Sequence, residues 1–114
     1  MYRLSKNRRL LNKQAFDAVF KHAHRVSNRH FILLYRKNTL GYSRIGMAIS
    51  KKSIPKAYLR NKVKRVLRES FRLNTPVPSV DMVVLANKSI LRDVAHLKTS
   101  ADSLWGMLSA QYER

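Results

Sequence analysis

Residues 53–72, SIPKAYLRNKVKRVLRESFR, are apolar along one side of a helix and cationic along the other, and any fold of this chain must satisfy both sides. Ser53 is a candidate N-cap, and Pro55 falls where a first helical turn tolerates proline. Leu59, Val63, Val66, Leu67 and Phe71 recur at three- and four-residue spacing, which predicts one buried face. Arg60, Lys64 and Arg68 form an i, i+4, i+8 row, with Asn61, Arg65 and Arg72 beside it. The cations span an arc of roughly 140°, opposite most of the apolar residues.

A solvated charged face is the ordinary explanation for such a row. Solvated faces usually mix signs, because like charges at i, i+4 repel. Here Glu69 is the only acid among these residues. A helix that accepts this repulsion repeatedly is suited to a polyanion. Arginine outnumbers lysine on the face, and its planar fork matches phosphate oxygens. Asn61 adds a neutral donor and acceptor for a sugar or a base edge.

The charge of the whole chain agrees. Its 114 residues carry Lys+Arg 24 against Asp+Glu 6, a formal net charge of +18. That balance points to nucleic acid, with an acidic membrane surface as the other candidate. The length predicts one domain over 1–114. At 45% hydrophobic the chain can form a real core. It has no cysteine, so no disulfide framework and no thiolate metal site, which fits a reducing cytoplasm. The first residues carry no long apolar run, which argues against a signal peptide. No stretch approaches the ~20 apolar residues of a membrane span.

Met1–Leu11, with Arg3, Lys6, Arg8 and Arg9, reads as an irregular, flexible basic arm that RNA could order. Asn12 is a candidate cap for a helix over Lys13–His22, with Leu11 and Phe16 as a hydrophobic staple. Phe16, Val19 and Phe20 share one side of that helix. The phenylalanines are either core or one wall of a cleft where a base stacks. A short strand is expected at Arg25–Ser27 and a longer one at His30–Lys37, with Phe31, Leu33 and Tyr35 on one face and Ile32, Leu34 and Arg36 on the other. Asn38–Ser43, with Gly41, reads as a hairpin loop leading to a return strand over Arg44–Ser50. Ile45, Met47 and Ile49 form its core face. Gly46, Ala48 and Ser50 form a small-residue face that would leave a groove.

Asn74–Ser79, with Pro76 and Pro78, reads as a loop and Val80–Ala86 as a buried strand. Asp93 is a candidate N-cap for a last helix carrying Val94, Leu97, Ala101, Leu104, Trp105 and Leu108 inward. Gly106 weakens that helix by about 1 kcal/mol relative to alanine. Trp105 reads as a core anchor rather than a stacking platform. The order is α-β-β-β-α-β-α, an α+β two-layer domain with helices packed against one sheet. If the strands flanking the basic helix are parallel neighbours, the general rule gives their crossover a right hand.

The segment Ser50–Arg72 resembles the signature of the protein subunit of bacterial ribonuclease P. The matching residues are Ser50-Lys51-Lys52, Arg60-Asn61, Lys64-Arg65, and Arg68 with Phe71. Upstream the resemblance extends through Phe16, Phe20, Lys21, Asn28, Arg29 and Phe31. Downstream it reaches the Val80–Ala86 strand and Leu104-Trp105. It implies a four-stranded sheet with a left-handed crossover around the basic helix, against the general rule. It also implies a small cofactor of a catalytic RNA subunit that removes the 5′ leader of precursor tRNA with Mg²⁺ bound mainly by the RNA.

On this resemblance, Lys51, Lys52, Lys56, Arg60, Asn61, Lys64, Arg65, Arg68 and Arg72 are the RNA-binding candidates, and Phe16, Phe20, Ile32, Leu34, Ala48 and Ser50 line the leader cleft. Ribonuclease P RNA and precursor tRNA are the expected partners, without a membrane or a required protein partner, in the bacterial cytoplasm. Two positions depart from the family pattern. Leu34 stands where members often carry tyrosine, and Ala48 where a small hydroxyl residue is common.

Other functions fit less well. A self-contained nuclease needs a base and an acid, and the candidates are His22, His24, His30 and Asp81. His22 and His24 are badly spaced for one helix face, and no paired carboxylates accompany them. No ligand cluster with metal spacing stands out, so no catalytic or metal-binding residue is assigned to the protein. Nothing reads as a helix-turn-helix pair. A structural RNA-binding protein of the ribosomal type is the main alternative.

Overall fold

The computed structural model describes residues 9, 13–21, 23–74 and 79–112. The elements run α1 (Lys13–Lys21), β1 (His24–Ser27), β2 (Phe31–Lys37), β3 (Arg44–Ala48), α2 (Ala57–Asn74), β4 (Val80–Ala86) and α3 (Leu97–Tyr112), with two short 3₁₀ turns before α3. The expected basic arm lies outside the described residues except for Arg9. So do Asn12, Leu11, His22 and both loop prolines, Pro76 and Pro78.

The four strands make one sheet in the order β1-β2-β4-β3. β2 pairs antiparallel with both β1 and β4, and β3 pairs parallel with β4. The hairpin expected between β2 and β3 is therefore absent. Both strands pair with β4 instead, which lies between them, so Asn38–Ser43 is a connection across a sheet position. The expectation failed because a short glycine-containing loop signals a reversal, whereas strand order is decided by long-range burial. Val80, Met82, Val83, Val84 and Ala86 of β4 are all buried, as the centre of a sheet requires. The strands flanking α2 are parallel neighbours, so β3-α2-β4 is a crossover.

Alternation of side chains divides the core. Phe31, Leu33, Tyr35, Ile45, Met82 and Val84 face α2 and α3, meeting Leu59, Val63, Leu67, Phe71, Leu104 and Trp105. Met47, Ile49 and Val66 pack on this cluster while half-buried. On the opposite face Val83, Leu34, Ala48 and Leu85 lie under α1, against Val19, Ala15 and Phe16. The sheet and the α2–α3 layer thus form the main core, and α1 covers part of the second face.

The start of α2 differs from the sequence expectation. Ser53 lies in a turn, where its N–H donates to Ser50 Oγ at 3.1 Å, and the helix begins at Ala57. A proline disfavours helical geometry in the residue before it, here the fully buried Ile54, so the helix starts beyond Pro55. Lys56 O accepts from the N–H groups of Leu59 and Arg60, both at 3.1 Å. Ser50 lies beyond the end of β3 and is exposed rather than on the small-residue face.

Asp93 also differs. It makes no side-chain cap hydrogen bond, and α3 starts at Leu97 after the two 3₁₀ turns. Its carboxylate is bound to His30 Nε2 at 2.8 Å and to His96 Nδ1. His30 is buried and contacts Ser89 Oγ at 2.8 Å through Nδ1, which fixes the entry to β2 against the segment after β4.

Candidate nucleic-acid interface

The amphipathic arithmetic of α2 holds. Leu59, Val63, Leu67 and Phe71 are buried, while Asn61, Arg65 and Arg68 are exposed and Arg60, Lys64 and Arg72 half-buried. Lys51, Lys52 and Lys56 are exposed in the turn leading into the helix. The apolar side is held by the sheet and α3, so the cations must face outward.

Most described acids are engaged by specific partners. Asp81 takes Arg44 through Nε at 2.8 Å and Nη2 at 2.6 Å. This bond to Asp81 raises the pKa of Arg44. Asp102 receives Ser70 Oγ and Lys98 Nζ, the latter at 3.2 Å. Glu69 meets Arg72 at 3.4 Å, which draws Arg72 toward a protein partner. Nothing in these pairs neutralises Lys64, Arg65 or Arg68.

The cleft candidates fall along rows fixed by the strand register. Leu34 pairs with Val83, and Val83 with Gly46; Ile32 pairs with Leu85, and Leu85 with Ala48. Phe16, Leu34 and Ala48 meet under α1, each half-buried. Ile32 is half-buried on the same strand face, and Phe20 is 45% exposed at the far end of the helix. The second phenylalanine is therefore not core. Ser50 is not brought to these residues; it organises the turn before α2.

A pocket of about 180 Å³ lies beside the outer edge of β3 and is lined by Arg9, Phe16, Ile45, Gly46, Met47, Lys64 and Arg68. It joins the aromatic wall of α1 to the cations of α2. Arg9 forms a parallel bridge with Ile45, which brings it to this edge. Sequence reasoning placed Arg9 only in a basic arm, since no local pattern reports a single long-range bridge. Gly46 was legible as part of a small-residue face.

The described nuclease candidates are not gathered. His30 is buried against Ser89 and Asp93, His24 stacks on Tyr35 with ring centres 5.2 Å apart, and Asp81 is held by Arg44. Among the described residues no three His, Asp or Glu side chains could together hold a metal ion. No described helix is long and apolar enough to cross a membrane.

The family model for ribonuclease P matches residues 4–109. The ribonuclease P protein component of Legionella pneumophila (strain Lens) is 42% identical over 113 residues, covering 98% of each chain. That of Aliivibrio salmonicida (strain LFI1238) is 41% identical over 111 residues, covering 95% of this chain and 94% of the relative. Among solved structures, the RNase P protein of Thermotoga maritima superposes with a TM-score of 0.79 at 33% identity, covering 90% of this chain and 96% of that one. The RNase P protein of Staphylococcus aureus gives 0.80 at 27% identity, covering 89% and 94%. A matching signature helix, a matching sheet and near full-length relatives agree, and the chain belongs to the ribonuclease P protein family.

Proposed function

We propose that this chain, as the protein subunit of a bacterial ribonuclease P, binds the catalytic RNA and the 5′ leader of precursor tRNA together. The observation that carries this reading is the pocket in which Phe16 meets Lys64 and Arg68. Single-stranded RNA offers a base and a phosphate in each nucleotide, and this pocket sets an aromatic ring beside two cations. The exposed face continues through Arg65 and Asn61 to Lys56, Lys52 and Lys51, with the half-buried Arg60 between them, a length suited to an RNA backbone. Arg72 lies at the far end of this face.

Hydrolysis of the leader bond belongs to the RNA in this reading. Mg²⁺ would supply charge neutralisation and an activated water there. The described protein residues do not offer a donor set for it, so no step is assigned to a protein-bound metal. The protein contributes positive charge, which brings two polyanions together, and a cleft that fixes the leader. Its place of action is the bacterial cytoplasm, where precursor tRNA is made.

Reconstitution tests the reading. Added to a cognate ribonuclease P RNA, the protein is expected to increase leader removal from precursor tRNA at low Mg²⁺, and to show no cleavage without the RNA. Cleavage by the protein alone, or no effect on the RNA, would overturn it.

A further inference from the structure

Arg60 differs from the other cations of its row. Its Nη1 donates to Ile54 O at 2.9 Å and to Pro55 O at 2.8 Å. Lys64 and Arg68, four and eight residues on, line the pocket. The two carbonyls belong to the non-helical segment between the turn at 51–53 and the first residue of α2. They precede the first intrahelical acceptor, Lys56 O, so α2 provides no N–H for them. The bond to Ile54 O is partly buried and that to Pro55 O exposed, and one guanidinium nitrogen serves both.

The turn is tied at its other side as well. Ile54 N donates to Ser50 O at 3.0 Å, Ser53 N donates to Ser50 Oγ at 3.1 Å, and the Ile54 side chain is fully buried. Between these fixings stand Lys51 and Lys52, with Lys56 just after them, all exposed. We infer that Arg60 is a positioning residue: it clamps the 50–56 turn onto α2 and so sets the distance between the turn lysines and the cationic face. This rests on the RNA-binding reading above, but the clamp itself is a property of the free protein.

Two measurements test it. In the free protein, the Ile54 amide is expected to exchange hydrogen at least about tenfold faster in Arg60→Ala, with Leu33 and Val84 amides unchanged. Arg60→Met keeps the aliphatic stem but removes the donor to both carbonyls, and serves if the alanine variant melts; the same acceleration is expected. In RNA binding, Arg60→Ala is expected to weaken affinity about tenfold in the native background and less than about twofold where Lys51 and Lys52 are already alanine. Arg68→Ala should add fully to the same background.

Unchanged Ile54 exchange would overturn the clamp whatever the RNA data show. Full additivity of Arg60→Ala with the lysine changes would mean that Arg60 touches RNA directly, and would overturn the positioning role. A wild-type protein that failed to bind the RNA would sink the functional reading, while the exchange measurement would still decide the clamp.

Discussion

Trp105 Nε1 donates to Ser70 Oγ at 2.7 Å, and both residues are buried where α3 packs on α2. Ser70 in turn donates to Asp102, so one hydroxyl links an indole on α3 to a carboxylate one turn away. Phe71 meets the same indole edge-on, with ring centres 5.8 Å apart. The basic helix is thereby fixed in rotation, with its cations turned outward. Ser70→Ala leaves the indole N–H buried without a partner and is expected to cost about 1–3 kcal/mol. Trp105 is the only tryptophan, so its fluorescence in a urea titration reports the loss directly. A change below ~0.5 kcal/mol would mean that water or another acceptor replaces the hydroxyl.

Leu67 offers a cleaner test of the core. It is fully buried in the main cluster on α2, on the same face as Val63 and Phe71. Leu67→Ala is expected to lower stability by about 2–5 kcal/mol, the range for a leucine truncated in a packed interior. Thermal and urea unfolding should agree on the loss. A near-neutral result would contradict the assigned rotation of α2.

That rotation was legible in the sequence because helix periodicity is local. Five apolar residues at three- and four-residue spacing need only their own helix to define a face. The strand identities of β1, β2, β3 and β4 were legible for the same reason, through alternation and flanking turn residues. The sheet order was not. Pairing of Tyr35 with Met82, and of Ile45 with the same Met82, depends on contacts far apart in sequence, and the loop containing Gly41 looked like a hairpin turn. Local capping signals misled at both Ser53 and Asp93, since their polar groups found non-helical partners. The cation row was legible, but Arg9 beside Phe16 was not, because a single bridge to Ile45 leaves no pattern. The resemblance to a known family supplied the partner RNA, which charge and spacing alone left open.

Asp93 gives a prediction in acid. The hydrogen bond from His96, and then that from His30, lowers its pKa below the usual carboxylate value. The folded-state value is therefore below the unfolded one. Asp93 contributes stability above the unfolded value, and this is lost as the pH falls through the folded one. The acid limb of the stability curve, below about pH 4, is expected to be shallower in Asp93→Asn than in the native protein. Urea midpoints measured from neutral pH down to about pH 2 provide the check. Parallel acid limbs would show that the two histidines do not favour the ionised carboxylate.

Electrostatics give a prediction in salt. Among the described residues the row Lys64, Arg65 and Arg68 meets no neutralising acid, and its contacts with RNA should release counterions. Plotted as log affinity against log salt, binding should fall with a slope of roughly −0.7 per phosphate on single-stranded RNA and nearer −0.9 on a duplex. Arg65→Ala and Arg68→Ala should each reduce that slope by about one phosphate, without changing the melting temperature appreciably. An unchanged slope in the double variant would place the RNA on another face.

Phe16→Ala separates the leader cleft from the core. Phe16 is half-buried, packed beside Leu34 and Ala48, and also lines the pocket with Lys64 and Arg68. Its ring is therefore shared between the small second cluster and the opening toward α2. Stacking of a base on an aromatic ring is worth roughly 1–3 kcal/mol by alanine substitution. Phe16→Ala is accordingly expected to weaken binding of leader-bearing precursor tRNA to the holoenzyme by about tenfold or more. Mature tRNA lacks the leader, and its affinity should barely change. A purely structural phenylalanine behaves differently, because loss of packing lowers stability and any loss of binding then follows the unfolded fraction for both RNAs. Phe20, more exposed than Phe16 on the same helix, is an internal comparison: Phe20→Ala should cost less stability, and a loss confined to precursor tRNA would place the leader along the outer end of α1 as well. Equal losses for precursor and mature tRNA in Phe16→Ala would refute the cleft while leaving the cationic face of α2 intact.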